Sequence, residues 1–161
     1  MTAPLANFGE LYVLYAPEVC RFSLYLSGDP HLAEEITAET FARAWTTADP
    51  ARIVTLKAYL LAIARHLWLR DRRKGRKRTG LDEAWADPGD GPKAAAVRRA
   101  KLRRTLVALN QLPENDRTAL LLRGVDGLPY EEIAALLGIK LAAVKVRIHR
   151  ARIRLAEILN H

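Results

Sequence analysis

Residues 141–156 carry Lys145, Arg147, Arg150, Arg152 and Arg154, with no Asp or Glu among them. Cations in that density neutralise phosphates, and a guanidinium can also grip a guanine edge in the major groove. Leu141, Val144, Ile148, Ala151 and Leu155 recur between them at helical spacing, so the cations flank or oppose an apolar stripe. The stretch before it, residues 128–140, reads as a shorter helix closed by Gly138. Ala134, Gly138 and Val144 fall where a helix-turn-helix needs a small inner residue, a turn residue free to take φ > 0 and a β-branched contact. The second helix is therefore predicted to lie in a DNA major groove. A solvated basic face would account for the cations alone, but it gives no reason for the Gly-turned helix upstream.

A second basic cluster lies at residues 64–78. It holds Arg65, Arg70, Arg72, Arg73, Lys74, Arg76, Lys77 and Arg78 against a single acid, Asp71. It reads either as a solvated polybasic tail or as a patch that tracks a nucleic-acid backbone. His66 and Trp68 begin the cluster, and Trp68 suits either stacking on an unpaired base or packing in a core.

The remaining composition argues against other chemistries. His31, His66, His149 and His161 are scattered, and no metal-ligand spacing, nucleophile motif or phosphate-cradling glycine loop stands out. No catalytic residue, metal or cofactor is expected. Cys20 is the sole cysteine and reads as core packing, which is compatible with a reducing compartment. The chain has 161 residues, half of them hydrophobic, and a net charge of +8, which favours a polyanionic partner. No signal peptide or spanning helix is legible, so a cytoplasmic protein is expected.

Helical periodicity must place these clusters. Leu11, Tyr15, Val19, Phe22 and Leu26 mark a first apolar stripe. Asp29 is placed to cap a second helix and Pro30 to open it, with Ile36, Phe41 and Ala44 inward and Glu34, Glu35 and Glu39 on the other side. A loop follows at residues 46–53, then a third helix at 54–74 with Leu56, Leu60, Ile63 and Leu67 inward. Residues 76–93, with four acids and Gly80, Pro88, Gly89, Gly91 and Pro92, read as a flexible linker. Trp85 within it is either packed on the chain's own surface or an anchor for a partner. Helices are predicted from 94 to 110 and from Leu112-Pro113 to Arg123, leading into the helix-turn-helix. The expected fold is all-α: two small helical lobes, 1–75 and 94–161, that move independently about the linker.

The whole chain resembles an extracytoplasmic-function (ECF) sigma factor of the sigma-70 family. The resemblance is carried by Glu39-Thr40-Phe41-Ala42-Arg43-Ala44-Trp45, by Tyr59-Leu60-Leu61-Ala62-Ile63-Ala64-Arg65, and by residues 109–117 and 130–152. It implies a transcription initiation factor with a sigma-2 lobe for the −10 element and a sigma-4 lobe for the −35 element. The implied partners are core RNA polymerase (its β′ clamp helices and β flap), promoter DNA and an anti-sigma factor. Glu35, Glu39, Thr40 and Arg43 match exposed polymerase contacts, with Phe41 and Trp45 supporting the helix from behind. Thr46, Thr47, Asp49 and Arg52 match the loop that captures a flipped −10 base. Arg65, His66, Arg70, Arg72 and Arg73 match the face along the −10 strand, and Lys145, Arg147, Arg150 and Arg152 the −35 reader.

The chain also departs from the family pattern. Ala38 replaces a common Gln and His66 a common Asn. Ala142-Ala143-Val144-Lys145-Val146-Arg147 stands where Gly-Thr-Val-Lys-Ser-Arg is usual. Ala142, Ala143 and Val146 are expected to face DNA, where they can touch thymine methyls but cannot hydrogen-bond base edges. Selectivity would then rest on Arg147, Arg150 and DNA shape. A stand-alone helix-turn-helix regulator would explain the C-terminal half but not the polybasic first lobe.

Overall fold

Glycine and proline punctuation divides the chain into its helices. The computed structural model describes residues 8–47, 55–74 and 91–160, and every regular element among them is an α-helix. The order is α1 (Phe8–Ser27), α2 (Pro30–Thr47), α3 (Leu56–Arg73), α4 (Pro92–Asn110), α5 (Glu114–Gly124), α6 (Tyr130–Leu137) and α7 (Leu141–Leu159). Asp29 opens α2 as expected: its Oδ1 accepts from the amides of His31 at 3.0 Å and Leu32 at 3.1 Å. Gly28, just before it, takes φ +73. Thr55 caps α3, accepting from the Ala58 amide at 3.2 Å. Helix α4 begins at Pro92, inside the stretch read as linker, because proline lacks an N–H and suits a first helical position.

The first lobe packs α1, α2 and α3 around Leu11, Val19, Phe22, Leu26, Ile36, Phe41, Ala44, Leu60, Leu61, Ala64 and Leu67. Each fully buried large side chain of this kind contributes roughly 1.5–3 kcal/mol over leaving it in water. Tyr15, Leu56 and Ile63, expected inward, are only half-buried at the rim. Trp68 settles in the core, 2% exposed, rather than on a stacking surface. In the second lobe α5 and α6 pack on α7 through Ala119, Leu121, Leu122, Ile133, Val144, Ile148 and Ala151.

The two lobes share a core, which the expectation of independent movement does not include. Buried residues of both belong to one apolar cluster, and Leu24, Ala33 and Leu106 form a second one between α1, α2 and α4. Polar groups reinforce the seam. Arg117 of α5 donates to the Leu26 carbonyl at 2.6 Å and the Leu112 carbonyl at 3.1 Å, and its guanidinium lies 5.4 Å from the Trp68 ring centre. Lys57 of α3 donates to the Asp126 carbonyl at 2.8 Å and to Glu18 at 3.3 Å. The Thr55 amide donates to Glu132 of α6 at 3.0 Å.

Candidate nucleic-acid interface

The turn before α7 is made by Gly138, with φ +66 and ψ 36. The Gly138 and Ile139 amides both turn back to the Ala134 carbonyl, which satisfies an orphan acceptor at the end of α6. This sets α7 across α5 and α6 with Val144, Ile148 and Ala151 buried and Leu155 half-buried. Leu141, expected in that stripe, is the first residue of α7 and is 38% exposed. On the outer face Ala142, Lys145, Arg152 and Val146 are exposed, Val146 at 59%. Ala143 and Arg147 are half-buried, so Ala143 is less outward than helical spacing alone suggests.

Arg150 is not a free phosphate clamp. Its Nε and Nη2 donate to the two oxygens of Asp116 at 2.9 and 2.8 Å, a bidentate pair whose acid is buried. That pair fixes the roll of α7 on α5 and holds the Arg150 pKa above its ordinary value through the hydrogen bond and charge of Asp116. Because 60% of the Arg150 side chain stays exposed, its outer edge still faces solvent. Lys145 is steered by Tyr130, with its ammonium 5.8 Å from the ring centre; Arg123 sits over the same ring at 4.5 Å.

In the first lobe the expected −10 residues fall into three groups. Thr46 is helical, at the end of α2, with its hydroxyl turned back to the carbonyls of Ala42 and Arg43. Thr47 ends α2, while Asp49 and Arg52 lie outside the described residues, as does Trp85. His66 and Arg73 are exposed on α3. Arg70, Arg65 and Arg72 are engaged with acids. Both oxygens of Glu39 accept from Arg70 at 3.2 Å, which joins an expected polymerase contact to an expected −10 contact. Arg72 donates to Glu114 of the second lobe at 3.1 Å, while Arg65 donates to Asn115 at 3.2 Å and lies 3.7 Å from Glu114. Burial lowers the Arg65 pKa, Glu114 opposes the shift, and the nearby Arg147 adds to it. Arg65 and Arg147, assigned from sequence to different DNA elements, thus feel each other's charge.

The polymerase-facing expectations need one correction. Thr40 is fully buried, because Ile36, Thr37, Thr40, Phe41 and Ala44 form the inner face of α2 at helical spacing. Glu35 is exposed, and Arg43 is half-buried beside Glu39 at 3.6 Å. Phe41 is buried as expected. Trp45 is 44% exposed, with the edge of Phe8 packed on it at a ring distance of 5.3 Å. Cys20 is half-buried, and burial pushes its thiol pKa up, in keeping with packing rather than reactivity.

Sequence reading misses Lys57, Glu114, Asp116, Arg117, Asp126 and Glu132. The two acids after Pro113 signal only a helix start. Their partners lie tens of residues away in the chain, beyond the reach of local patterns.

Comparison with known proteins places this geometry. The family model for sigma-70 region 2 matches residues 11–79, and that for sigma-70 region 4 matches residues 102–155. The ECF RNA polymerase sigma factor SigE of Mycolicibacterium smegmatis is 36% identical over 98% of this chain, which spans 63% of that relative's length. EcfG of Rhodopseudomonas palustris, another ECF RNA polymerase sigma factor, is 30% identical over 89% of this chain and 80% of its own. Among solved structures, the sigma factor RpoE of Bartonella quintana, in complex with the anti-sigma factor NepR, superimposes with a TM-score of 0.76. It is 29% identical and matches 95% of this chain and 96% of its own. The chain belongs to the ECF sigma factors of the sigma-70 family, a class of transcription initiation factors. With both regions matched, a stand-alone helix-turn-helix regulator is not favoured.

Proposed function

We propose that this chain is a dissociable specificity subunit that joins core RNA polymerase and directs it to promoters through both lobes. The lobes would divide at 1–75 and 94–161, with 76–93 between them. Helix α7 reads the −35 element: Lys145 and Arg152 hold phosphates, Arg147 reaches a base edge, and Ala142, Ala143 and Val146 offer apolar contact to thymine methyls. Arg150 contributes its solvent edge and positions the helix through Asp116. His66, Arg70 and Arg73, with Arg65 and Arg72 once released from Glu114, follow the −10 strand. Thr46, Thr47, Asp49 and Arg52 receive the flipped base. Glu35, Glu39 and Arg43 meet the β′ clamp helices, and the second lobe meets the β flap.

The observation that supports this reading most is the outer face of α7, where Lys145 and Arg152 flank exposed Ala142 and Val146 on a helix seated by a Gly138 turn. The chain carries out no bond-making step of its own on this reading, and it works in the cytoplasm. Among the described residues no helix is long and apolar enough to cross a membrane. RpoE was solved with an anti-sigma factor. An anti-sigma factor is likewise the proposed controller here.

The test is run-off transcription with purified core polymerase, with and without the full chain, on fragmented genomic DNA. Starts that depend on the chain and share paired upstream motifs are expected. Tight duplex binding by the chain alone, with no polymerase-dependent starts, would favour a regulator instead.

A further inference from the structure

Helix α4 carries a third run of cations, one that neither DNA-facing surface uses: Lys93, Arg98, Arg99, Lys101, Arg103 and Arg104. No Asp or Glu occurs from residue 91 to residue 113. Arg99, Leu102 and Leu106 recur at helical spacing and are half-buried or buried, with Leu102 and Leu106 against Leu24 and Ala33 of the first lobe. The other cations stay exposed. Elsewhere arginines are neutralised by carboxylates, Arg70 by Glu39 and Arg150 by Asp116. Lys93, Lys101 and Arg103 have no ion pair among the described residues. Arg99 and Arg103 stand at i,i+4, and Lys101 and Arg104 at i,i+3, spacings at which like charges repel along a helix and a Glu would attract. A merely solvated face gains nothing from this pattern, whereas a polyanion relieves it. Ala94, Ala96 and Ala100, exposed between the cations, leave room for a phosphate backbone to approach.

The bearing of α4 on α7 is set by Arg104, whose guanidinium donates to the Leu159 carbonyl in the last turn of α7. Helix α7 has 19 residues, so its two ends lie about 28 Å apart. One turn of duplex is about 34 Å. We propose that the exposed side of α4 is a sequence-independent clamp for duplex DNA, taking backbone phosphates outside the −35 element and within one helical turn of it. The proposal rests on the reading of α7 as the −35 helix. Lys93, Lys101 and Arg103 supply the charge, and Arg104 positions the helix. Lys145 and Arg152 hold phosphates inside the element, and α4 holds those beyond it. Binding releases counterions from the duplex and removes the repulsion along α4, with no base contact.

The test uses holoenzyme assembled from core polymerase and the full chain carrying Lys93→Ala, Lys101→Ala and Arg103→Ala. Alanine is the strongest helix former, and these side chains have no ion pair to lose. Filter binding over a salt series reads affinity for duplex promoter DNA and for a copy with a scrambled −35 element. Ethylation interference reads which phosphates matter. The salt slope should fall by about one for each cation removed, and both duplexes should weaken by the same factor. Interference should be lost only outside the −35 element. An unchanged slope overturns the clamp. Weaker assembly with core polymerase and an unchanged interference pattern also overturns it, and makes this face a protein contact. A loss of affinity for single-stranded RNA but not for duplex, read by fluorescence anisotropy on the full chain, overturns the choice of DNA. Should the triple variant fail to fold, glutamine at the same three positions is tested against the same outcomes. The −35 reading fails separately if Lys145→Ala with Arg152→Ala leaves the phosphates inside the element unaffected, whatever α4 does.

Discussion

Arg117 donates from Nη1 to the carbonyl oxygen of Leu26 at 2.6 Å, so a cation of the second lobe satisfies an acceptor at the end of a first-lobe helix. Carbonyls in the last turn of a helix lack intrahelical donors and carry partial negative charge. Arg117 meets that need while its plane rests near Trp68, and it ties α1, α3 and α5 together at one point.

The bidentate pair between Arg150 and Asp116 predicts different behaviour for two arginines two residues apart. Arg150→Ala leaves a buried carboxylate without its partner and should lower the stability of the chain. Arg152→Ala should fall within about 0.5 kcal/mol of the parent. Urea titrations followed by circular dichroism would compare them. Equal midpoints would mean that the pair does not seat α7.

Asp126 predicts a pH dependence. Burial raises its carboxyl to about 6 from an ordinary 3.8, although Lys57 and Arg21 pull it down; Arg21 is 3.7 Å away, beyond hydrogen-bond length. The folded chain therefore holds this proton more tightly than the unfolded chain does. The contribution to stability is fully present below the unfolded value and is lost as pH rises through about 6. Asp126→Asn removes that loss, so it should stabilise the chain at pH 8 by up to about 2–3 kcal/mol and have little effect near pH 4. Melting curves at the two pH values would read the difference. A larger gain at low pH would contradict the assignment.

Two glycines should respond oppositely to alanine. Gly138 has φ +66 with open space where a methyl would stand, so Gly138→Ala should cost about 1–2 kcal/mol through backbone strain alone. Gly124 ends α5 with helical geometry, and a methyl there would meet only Leu120 Cδ1 at 4.0 Å. Gly124→Ala should gain about 0.5–1 kcal/mol. Thermal melts of both variants would test the contrast, and a stabilising Gly138→Ala would mean that the turn can be rebuilt.

The outer face of α7 predicts a split between selectivity and affinity. Arg147→Ala should cost about 1–3 kcal/mol on the preferred −35 site alone. Lys145→Ala and Arg152→Ala should weaken all sequences alike and lower the salt slope by about one each. Val146→Ser should shift sequence preference more than affinity, since it adds a donor and an acceptor at an exposed position. Selection on randomised −35 DNA with holoenzyme would decide. A motif unchanged by Arg147→Ala and Val146→Ser would mean that another face of α7 enters the groove.

Much of the fold is legible in the sequence because its signals are local. Asp29 capping α2, the Gly138 turn and the Val144–Ile148–Ala151 stripe each follow from residues within a few positions of one another. Thr40 is misplaced by the family motif, although helical spacing from Ile36 and Ala44 already points it inward. Arg150 looks like a free cation in the sequence because Asp116 lies thirty-four residues upstream, on a helix whose packing only tertiary structure supplies. The seam between the lobes is hidden for the same reason. Glu114, Arg117, Lys57 and Asp126 look like ordinary surface charges until α1, α3 and α5 are set side by side.

Helix α5 is only 11 residues long, yet Arg117 and Glu114 engage the first lobe while Asp116 steers α7. Whatever moves this helix is sensed at both ends of the molecule. On the proposed reading of the two lobes, reciprocity then applies: the factor by which a −10 strand alters affinity for a −35 duplex must equal the factor in the reverse direction. While the lobes remain joined through α5, the two proposed promoter elements would act as one heterotropic ligand pair, with neither affinity an intrinsic constant of its own lobe.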